Sequence, residues 1–510
     1  MTTMLKAQSG LAPTTPAAAP EAGGDRPHVI VLGAGVCGLY AGRVLAAAGA
    51  RVTVLEREDV VGGLAAGHRL GDNLYDLGVH HLHAFDRDIF EDVKGLMGDR
   101  LIGIAKDARI KYGRGFRRYP LEFGDMLRGI PPWTLATALA GLMVQQVANR
   151  LRPREAENAE QALIQLYGRP LYSFFFRDFT ARYWGIPPRE LSAAFVRNKM
   201  PRLSAVDVIK QALARLGLRE PGDAAVESAL AEETLYYSRE GARGMPEALA
   251  DAIRRDGGAV LTGATVTAVE TEGGRVVAVR YRAGGNEGAE LRLPCDACLS
   301  TIPINHLALA FEPPAPPAVV EAAAGLRHRP IVVYGFRVAR PRLLDALYIY
   351  YRDRVFHRLA EPKNSGLDIA PPEHTILLAE IMCDHGDALW NGTPEAVARV
   401  AADIEAEGIL RADEIVETHV VRAPEAYPVF ALGFEAHLAR IEAFVAGHAN
   451  LRSTGRQGGF CYPNMHAAMR MGAEAARELA AGALVEPRGR RPGASAASAV
   501  PYPVSNAAAE

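Results

Sequence analysis

His28-Val29-Ile30-Val31-Leu32-Gly33-Ala34-Gly35-Val36-Cys37-Gly38-Leu39 is the stretch on which the fold turns. It reads as a short buried strand, a tight glycine turn and the first turn of a helix. Gly33 supplies the backbone angles of the turn, Gly35 lets a pyrophosphate approach the main chain, and Gly38 lets the helix pack closely on the sheet. The helix N-terminus adds N–H groups and a positive dipole end. The next strand, Arg51-Val52-Thr53-Val54-Leu55, ends in Glu56, placed for a pair of ribose hydroxyls. These features predict dinucleotide binding. The alternative is a glycine-punctuated α/β unit with no ligand.

A chain of 510 residues is long enough for two domains. Its formal net charge is -2, so no nucleic-acid partner is expected. Five cysteines scattered through an apolar chain suit a reducing compartment, and a cytoplasmic location is expected. Cys295 and Cys298 form a CxxC with no second pair nearby, so they read as a buried strand end rather than a redox or metal pair. Residues 1–26 and 483–510, low in large apolar side chains, read as a disordered leader and tail. No run reaches the roughly 18 apolar residues of a spanning helix. Residues 132–154 are different. Trp133, Leu135, Leu139, Leu142, Met143 and Val144 precede Arg150, Arg152 and Arg154, which reads either as an internal helix or as a peripheral membrane contact.

The order of patterns predicts a discontinuous dinucleotide domain from 27–100, 234–305 and 415–482. A helical domain is expected at 101–233 and a substrate-binding sheet domain at 306–414. Strand ends of an open α/β sheet meet at the ligand, so the loops after Leu32, Leu55 and Thr454 should converge on one cofactor.

Four blocks of residues resemble the flavoprotein superfamily of amine oxidases, protoporphyrinogen oxidase, phytoene desaturase and UDP-galactopyranose mutase. The first is Val31 to Gly38 with Glu56, Arg57, Gly62 and Gly63. The second, Asp76-Leu77-Gly78-Val79-His80-His81-Leu82-His83, is similar to the mutase histidine loop beside the isoalloxazine, with His80 and His83 in the matching places. The third runs from Phe174 through Arg182-Tyr183-Trp184-Gly185 to Ser192, and the fourth comprises Gly455, Arg456, Phe460, Tyr462, Asn464 and Met465. In the mutases the arginine and tyrosine of this last block contact sugar-nucleotide phosphates, and an aspartate stands where Asn464 does. Two segments depart from the mutase pattern. Its RxPxR is only partly matched by Met200-Pro201-Arg202, and Gly241-Ala242-Arg243-Gly244-Met245-Pro246 looks like the oxidase and desaturase turn.

The resemblance implies a Rossmann-like FAD-binding domain of the GR2 type, with an inserted mixed sheet and a helical substrate domain. It implies FAD held by Gly33, Gly35, Gly38, Glu56, Arg57, Gly62, Gly63, Val266, Gly455 and Met465. His80, His83 and Arg456 are the catalytic candidates; Arg117, Arg182, Tyr462 and Asn464 are the substrate-binding ones. His80, His81 and His83 could instead buttress their loop, and no metal is expected there. The expected activity is hydride transfer from a small-molecule, lipid-like or glycosyl substrate to flavin N5. The alternatives are a sugar-nucleotide isomerase using reduced FAD and a non-catalytic flavin-binding protein. Oligomeric state is left open.

Overall fold

Strand β1 (His28–Leu32) can be wholly apolar at Val29 to Leu32 because both of its edges and both of its faces are covered. The computed structural model describes residues 26–112, 115–118, 132–199, 234–284 and 288–482. Residues 1–25 of the leader, the tail and the 200–233 stretch with Met200, Pro201 and Arg202 lie outside the described residues. β1 lies between β2 (Arg51–Leu55) and the strand Ala297–Ser300, with Leu32 paired to both Leu55 and Ser300. Ala259–Leu261 and Leu451–Ser453 complete a parallel five-stranded sheet. The sequence-predicted strand end at Cys298 is one of its buried positions, and all five cysteines are free thiols.

Helix α1 (Val36–Ala47) lies against this sheet through small residues. A Cβ added at Gly38 would lie 2.1 Å from the Gly33 carbonyl oxygen, and Gly33 itself has φ +95°. The last helix, Met465–Ala481, crosses α1 equally closely, since a Cβ at Gly472 would sit 2.4 Å from Cys37 O. A four-stranded sheet built on Ala264–Glu272 and Arg275–Ala283 closes the outer side of this half.

The second half is a mixed seven-stranded sheet. Its order is Ile415–Val429, Arg327–Val338, Thr375–Met382, Arg358–Ala360, Tyr348–Tyr350, Ala108–Tyr112 and Gly115–Arg118. Two boundaries drawn from the sequence therefore move. Residues 415–429 pair along the whole of Arg327–Val338 and belong to this sheet, not to the dinucleotide half. Ala108–Tyr112 and Gly115–Arg118 form its far edge rather than part of a helical domain. The reason is that a long central strand has backbone donors and acceptors on both edges to satisfy, and partners from any part of the chain serve.

One face of this sheet, with Val332, Tyr334, Phe336, Leu377 and Ala379, packs on the helix Pro394–Glu405. The other face carries Ile331, Val333, Leu378 and Tyr348 and meets the helices of residues 159–199. Gly335 lies on that face because the Tyr75 ring occupies its side-chain space, 2.4 Å from where a Cβ would be. Asp76, next in sequence, is buried beneath the Gly241 turn, where it accepts from the Tyr237 hydroxyl and from Ala242 N–H. The strand Asn73–Asp76 thus meets the sheet half through Tyr75 and the Gly241 turn through Asp76.

The contact at Gly38 leaves no room for a methyl group. Gly38→Ala should lower unfolding free energy by about 1–3 kcal/mol through overpacking, read as a lower urea midpoint.

Candidate active site

At the carboxyl end of β1, the chain turns so that Gly35 is the cap of α1 with no side-chain hydrogen bond to the first helical N–H groups. An added Cβ at Gly35 would meet only Gly62 O, at 4.0 Å, so the main chain there is open to approach. Gly62 docks alongside, its N–H donating to Ala34 O at 2.8 Å, and Gly63 has φ +58°. Bare backbone, uncapped N–H groups and a helix dipole end suit a diphosphate.

Glu56 is buried beside this turn and accepts from Ala34 N–H at 2.7 Å and Glu58 N–H at 3.0 Å. Burial pushes its carboxyl above the usual range, against the pull of those two N–H groups. The strand bearing Val266 begins where Ala264 N–H donates to Glu56 O, and its pairing slips just after Val266. Gly455, at φ +81°, presses on α1, since a Cβ there would lie 2.6 Å from Cys37 Sγ. Asn464 caps the last helix without a side-chain bond, and Met465 is its first residue. Arg57 follows Glu56 directly. Its half-exposed guanidinium turns to Glu58 at 3.1 Å and Glu425 at 3.7 Å, because those carboxylates flank it.

Arg456 follows Gly455 directly and so links the cradle to an aromatic cluster. Its guanidinium lies over the Tyr462 ring, 4.1 Å from the centroid, and the Tyr427 ring, at 4.6 Å. Its Nε is buried with no hydrogen-bond partner among the described residues. Tyr183 completes the cluster, 5.7 Å from Tyr427 and 5.3 Å from His357 between ring centroids. Burial raises the Tyr183 and Tyr462 hydroxyls well above the usual phenol value.

Behind His80 stands a pair that sequence reasoning missed. Arg358 donates twice to Glu380, at 2.7 Å each, and once to the Tyr350 hydroxyl at 3.1 Å. The Glu380 side chain is 1% exposed. Its Oε1 also accepts from Val79 N–H at 3.2 Å, which fixes the histidine loop. A Cβ at Gly78 would collide with that carboxylate at 2.9 Å. His80 lies near both Arg358 and Arg456, and its Nδ1 is buried without a partner among the described residues. Burial first, and then the two guanidinium groups, push its imidazole down to about 3. His80 is therefore neutral at pH 7. A signal was available in the sequence: Glu380 is the one charged residue in Thr375–Met382, a strand buried at every position.

The other candidates scatter. His83 is buried against Phe85 and His466. His81 meets Ser365 Oγ at 2.9 Å and the Tyr237 ring, as a buttress would. Arg182 is not free for a substrate. It donates to the carbonyls of Tyr351, at 2.9 Å, and Arg354, tying its helix to that loop. Arg117 shares a sheet face with Arg358 through the cross-strand series Ile110 and Tyr350. Three strand spacings put it roughly 14 Å away, at the sheet edge. Among the described residues, no group of three or more His, Cys, Asp or Glu side chains could hold a metal ion.

The family profile described as flavin containing amine oxidoreductase matches residues 36–480. The chain belongs to that family. The chain is 29% identical over 343 residues to phytoene dehydrogenase of Streptomyces griseus. That alignment covers 60% of this chain and 59% of the relative, so the chain spans about three fifths of it. In fold it is similar to reduced UDP-galactopyranose mutase, with TM-score 0.72 at 17% identity over 89% of this chain and 95% of that one. It is also similar to putrescine oxidase bound to putrescine, with TM-score 0.60 at 16% identity over 89% and 99%. Flavin-binding capability goes with the family, and the cradle at Gly35 fits such a group.

Two outcomes follow for the buried pair and the histidine beside it. Glu380→Ala strands a buried guanidinium and should cost about 3–5 kcal/mol of stability in urea unfolding. His80 binds its proton far less readily folded than unfolded, so the unfolded chain takes up protons first as pH drops below 6.5. Stability should fall from about pH 6.5 downwards, and His80→Gln should make that fall shallower in melting curves recorded across the range.

Proposed function

We propose that the protein is an FAD-dependent oxidoreductase that removes hydride from a C–H bond of a small-molecule, lipid-like or glycosyl substrate. The bare backbone at Gly35, on the uncapped amino end of α1 and beside the Glu56 carboxylate, carries this reading. FAD, when bound, supplies the hydride acceptor at its N5 atom. Main-chain N–H groups at the start of α1 would face the diphosphate, and Gly62 and Gly63 would let it approach. Glu56 keeps lone pairs beyond the two N–H bonds it accepts, which suits ribose hydroxyls.

At the reacting end, Arg456 brings a cation into an aromatic-walled place where negative charge would be stabilised. Glu380 neutralises Arg358, so the second guanidinium orients the His80 loop instead of adding free charge. Neutral His80 serves as a hydrogen-bonding group rather than a proton shuttle near pH 7. Among these substrate classes, the name of the Streptomyces relative, a phytoene dehydrogenase, favours one with hydrocarbon character.

A second reading, a sugar-nucleotide isomerase working with reduced flavin and no net oxidation, has one observation in its favour. Arg456, Tyr462, Tyr427 and Tyr183 make a cationic aromatic cluster suited to a diphosphate, in a fold resembling the reduced mutase.

Purified protein is expected to be yellow and to release FAD on denaturation. Gly35→Val should weaken FAD binding about tenfold or more, while costing the apoprotein no more than about 1 kcal/mol. Candidate substrates should bleach the bound flavin anaerobically. A rise in melting temperature with UDP, together with no bleaching by any substrate, would favour the isomerase. Protein that takes up no flavin would overturn both readings.

A further inference from the structure

The 20-residue helix Pro132–Leu151 has a side that the proposed chemistry does not use. Its packing against the rest of the protein is one-sided. Ala138 and Leu142 are buried in the direction of the helix Ala159–Tyr167. Gly141 meets Pro170 so closely that an added Cβ would lie 2.6 Å from its ring, and Asn149 donates to Gln165 O at 2.9 Å. These contacts set the rotation of the helix about its axis.

With that rotation fixed, the opposite side presents large apolar groups to solvent. Trp133 is 72% exposed, Val144 69%, Val147 56% and Leu151 77%. At about 100° per residue these four, with exposed Ala140 between them, fall within roughly 60° of arc, and Ala138 and Leu142 point the other way. Met143, 48% exposed, widens the stripe on one side. A continuous apolar stripe of this length marks an interaction surface rather than scattered exposure.

The carboxyl end of the same helix decides the partner. Arg150, Arg152 and Arg154 are exposed, and none is within ion-pair distance of a carboxylate among the described residues. Exposed Glu155 and Glu157 follow directly, so the basic charge is confined to the end of the helix itself. The helix is not long and apolar enough to cross a membrane. A one-sided apolar stripe with arginines at its end matches a bilayer interface, where hydrocarbon accepts the stripe and anionic headgroups accept the guanidinium groups.

We propose that Pro132–Leu151 docks this protein on the surface of an anionic lipid bilayer, lying in the plane of the interface with Trp133, Val144, Val147 and Leu151 inserted. Docking is independent of the cofactor reading, since none of these residues touches the cradle or the His80 site.

Full-length protein mixed with vesicles of phosphatidylcholine alone, or of phosphatidylcholine with phosphatidylglycerol, tests this by co-sedimentation. Binding to the mixed vesicles should exceed binding to the neutral ones about tenfold and weaken as salt is added. The double variant Val144→Asp/Val147→Asp should lose binding about tenfold or more with an unchanged melting temperature, because both side chains already face water. Arg150→Glu/Arg152→Glu/Arg154→Glu should abolish the preference for the anionic vesicles. The proposal is overturned if neither vesicle is bound. It is also overturned if the aspartate variant melts far lower, which would mean the chain covers its own stripe. A wild-type dimer that this variant dissociates, with no vesicle binding by either, would assign the stripe to a second copy instead.

Discussion

Helix α1 reaches its position only because Gly38 has no side chain, so that the helix backbone rests on the Gly33 carbonyl oxygen. From that contact the rest of the dinucleotide half is built outward. It aims the free N–H groups of the first turn at the crevice beyond β1, and it brings Cys37 to where Gly455 and Gly472 must also be bare. Three separate parts of the chain thus converge on one helix end, each by backbone approach rather than by side-chain chemistry. Dense contact of this kind tolerates little change in volume, since interiors are packed like crystals and small shifts are felt.

The second half of the molecule is held to the first by charge buried in an apolar sheet. Glu380 alone would be a severe desolvation cost on a fully buried strand; Arg358, Tyr350 and Val79 N–H together offset it. Because Val79 precedes His80, the same carboxylate that neutralises Arg358 also fixes the histidine loop. Burial first, and then the nearby Arg358 and Arg456 guanidinium groups, keep the imidazole uncharged. The electrostatics of the site are therefore a consequence of the sheet register, in which Arg358 stands opposite Glu380.

The division of the chain follows from the same register. Residues 415–429 precede the final dinucleotide-half elements in sequence, yet they complete the sheet that carries Arg358 and Glu380. Tyr427 lies on that strand and Tyr462 in the loop before the last helix, so the ring pair beneath Arg456 spans both halves. A site so assembled needs both halves in place before any of its aromatic walls exists.

What the amino-acid sequence determined by itself is the strand–turn–helix at residues 28–39, the acidic residue after β2 and the glycines on which the cradle depends. Those are local features: each follows from φ angles, side-chain size and strand length within a few residues, and the periodicity is visible in the string. Only the tertiary structure decided which histidine faces the arginines, that Arg182 is consumed by the carbonyls of Tyr351 and Arg354, and that Arg358 meets Glu380. Those outcomes depend on packing between residues far apart in sequence, and shifting one strand by a residue would turn Arg358 or Glu380 to the opposite face. Glu380, alone among apolar neighbours on its strand, announced in the sequence that a buried partner must exist, and the fold supplied its identity.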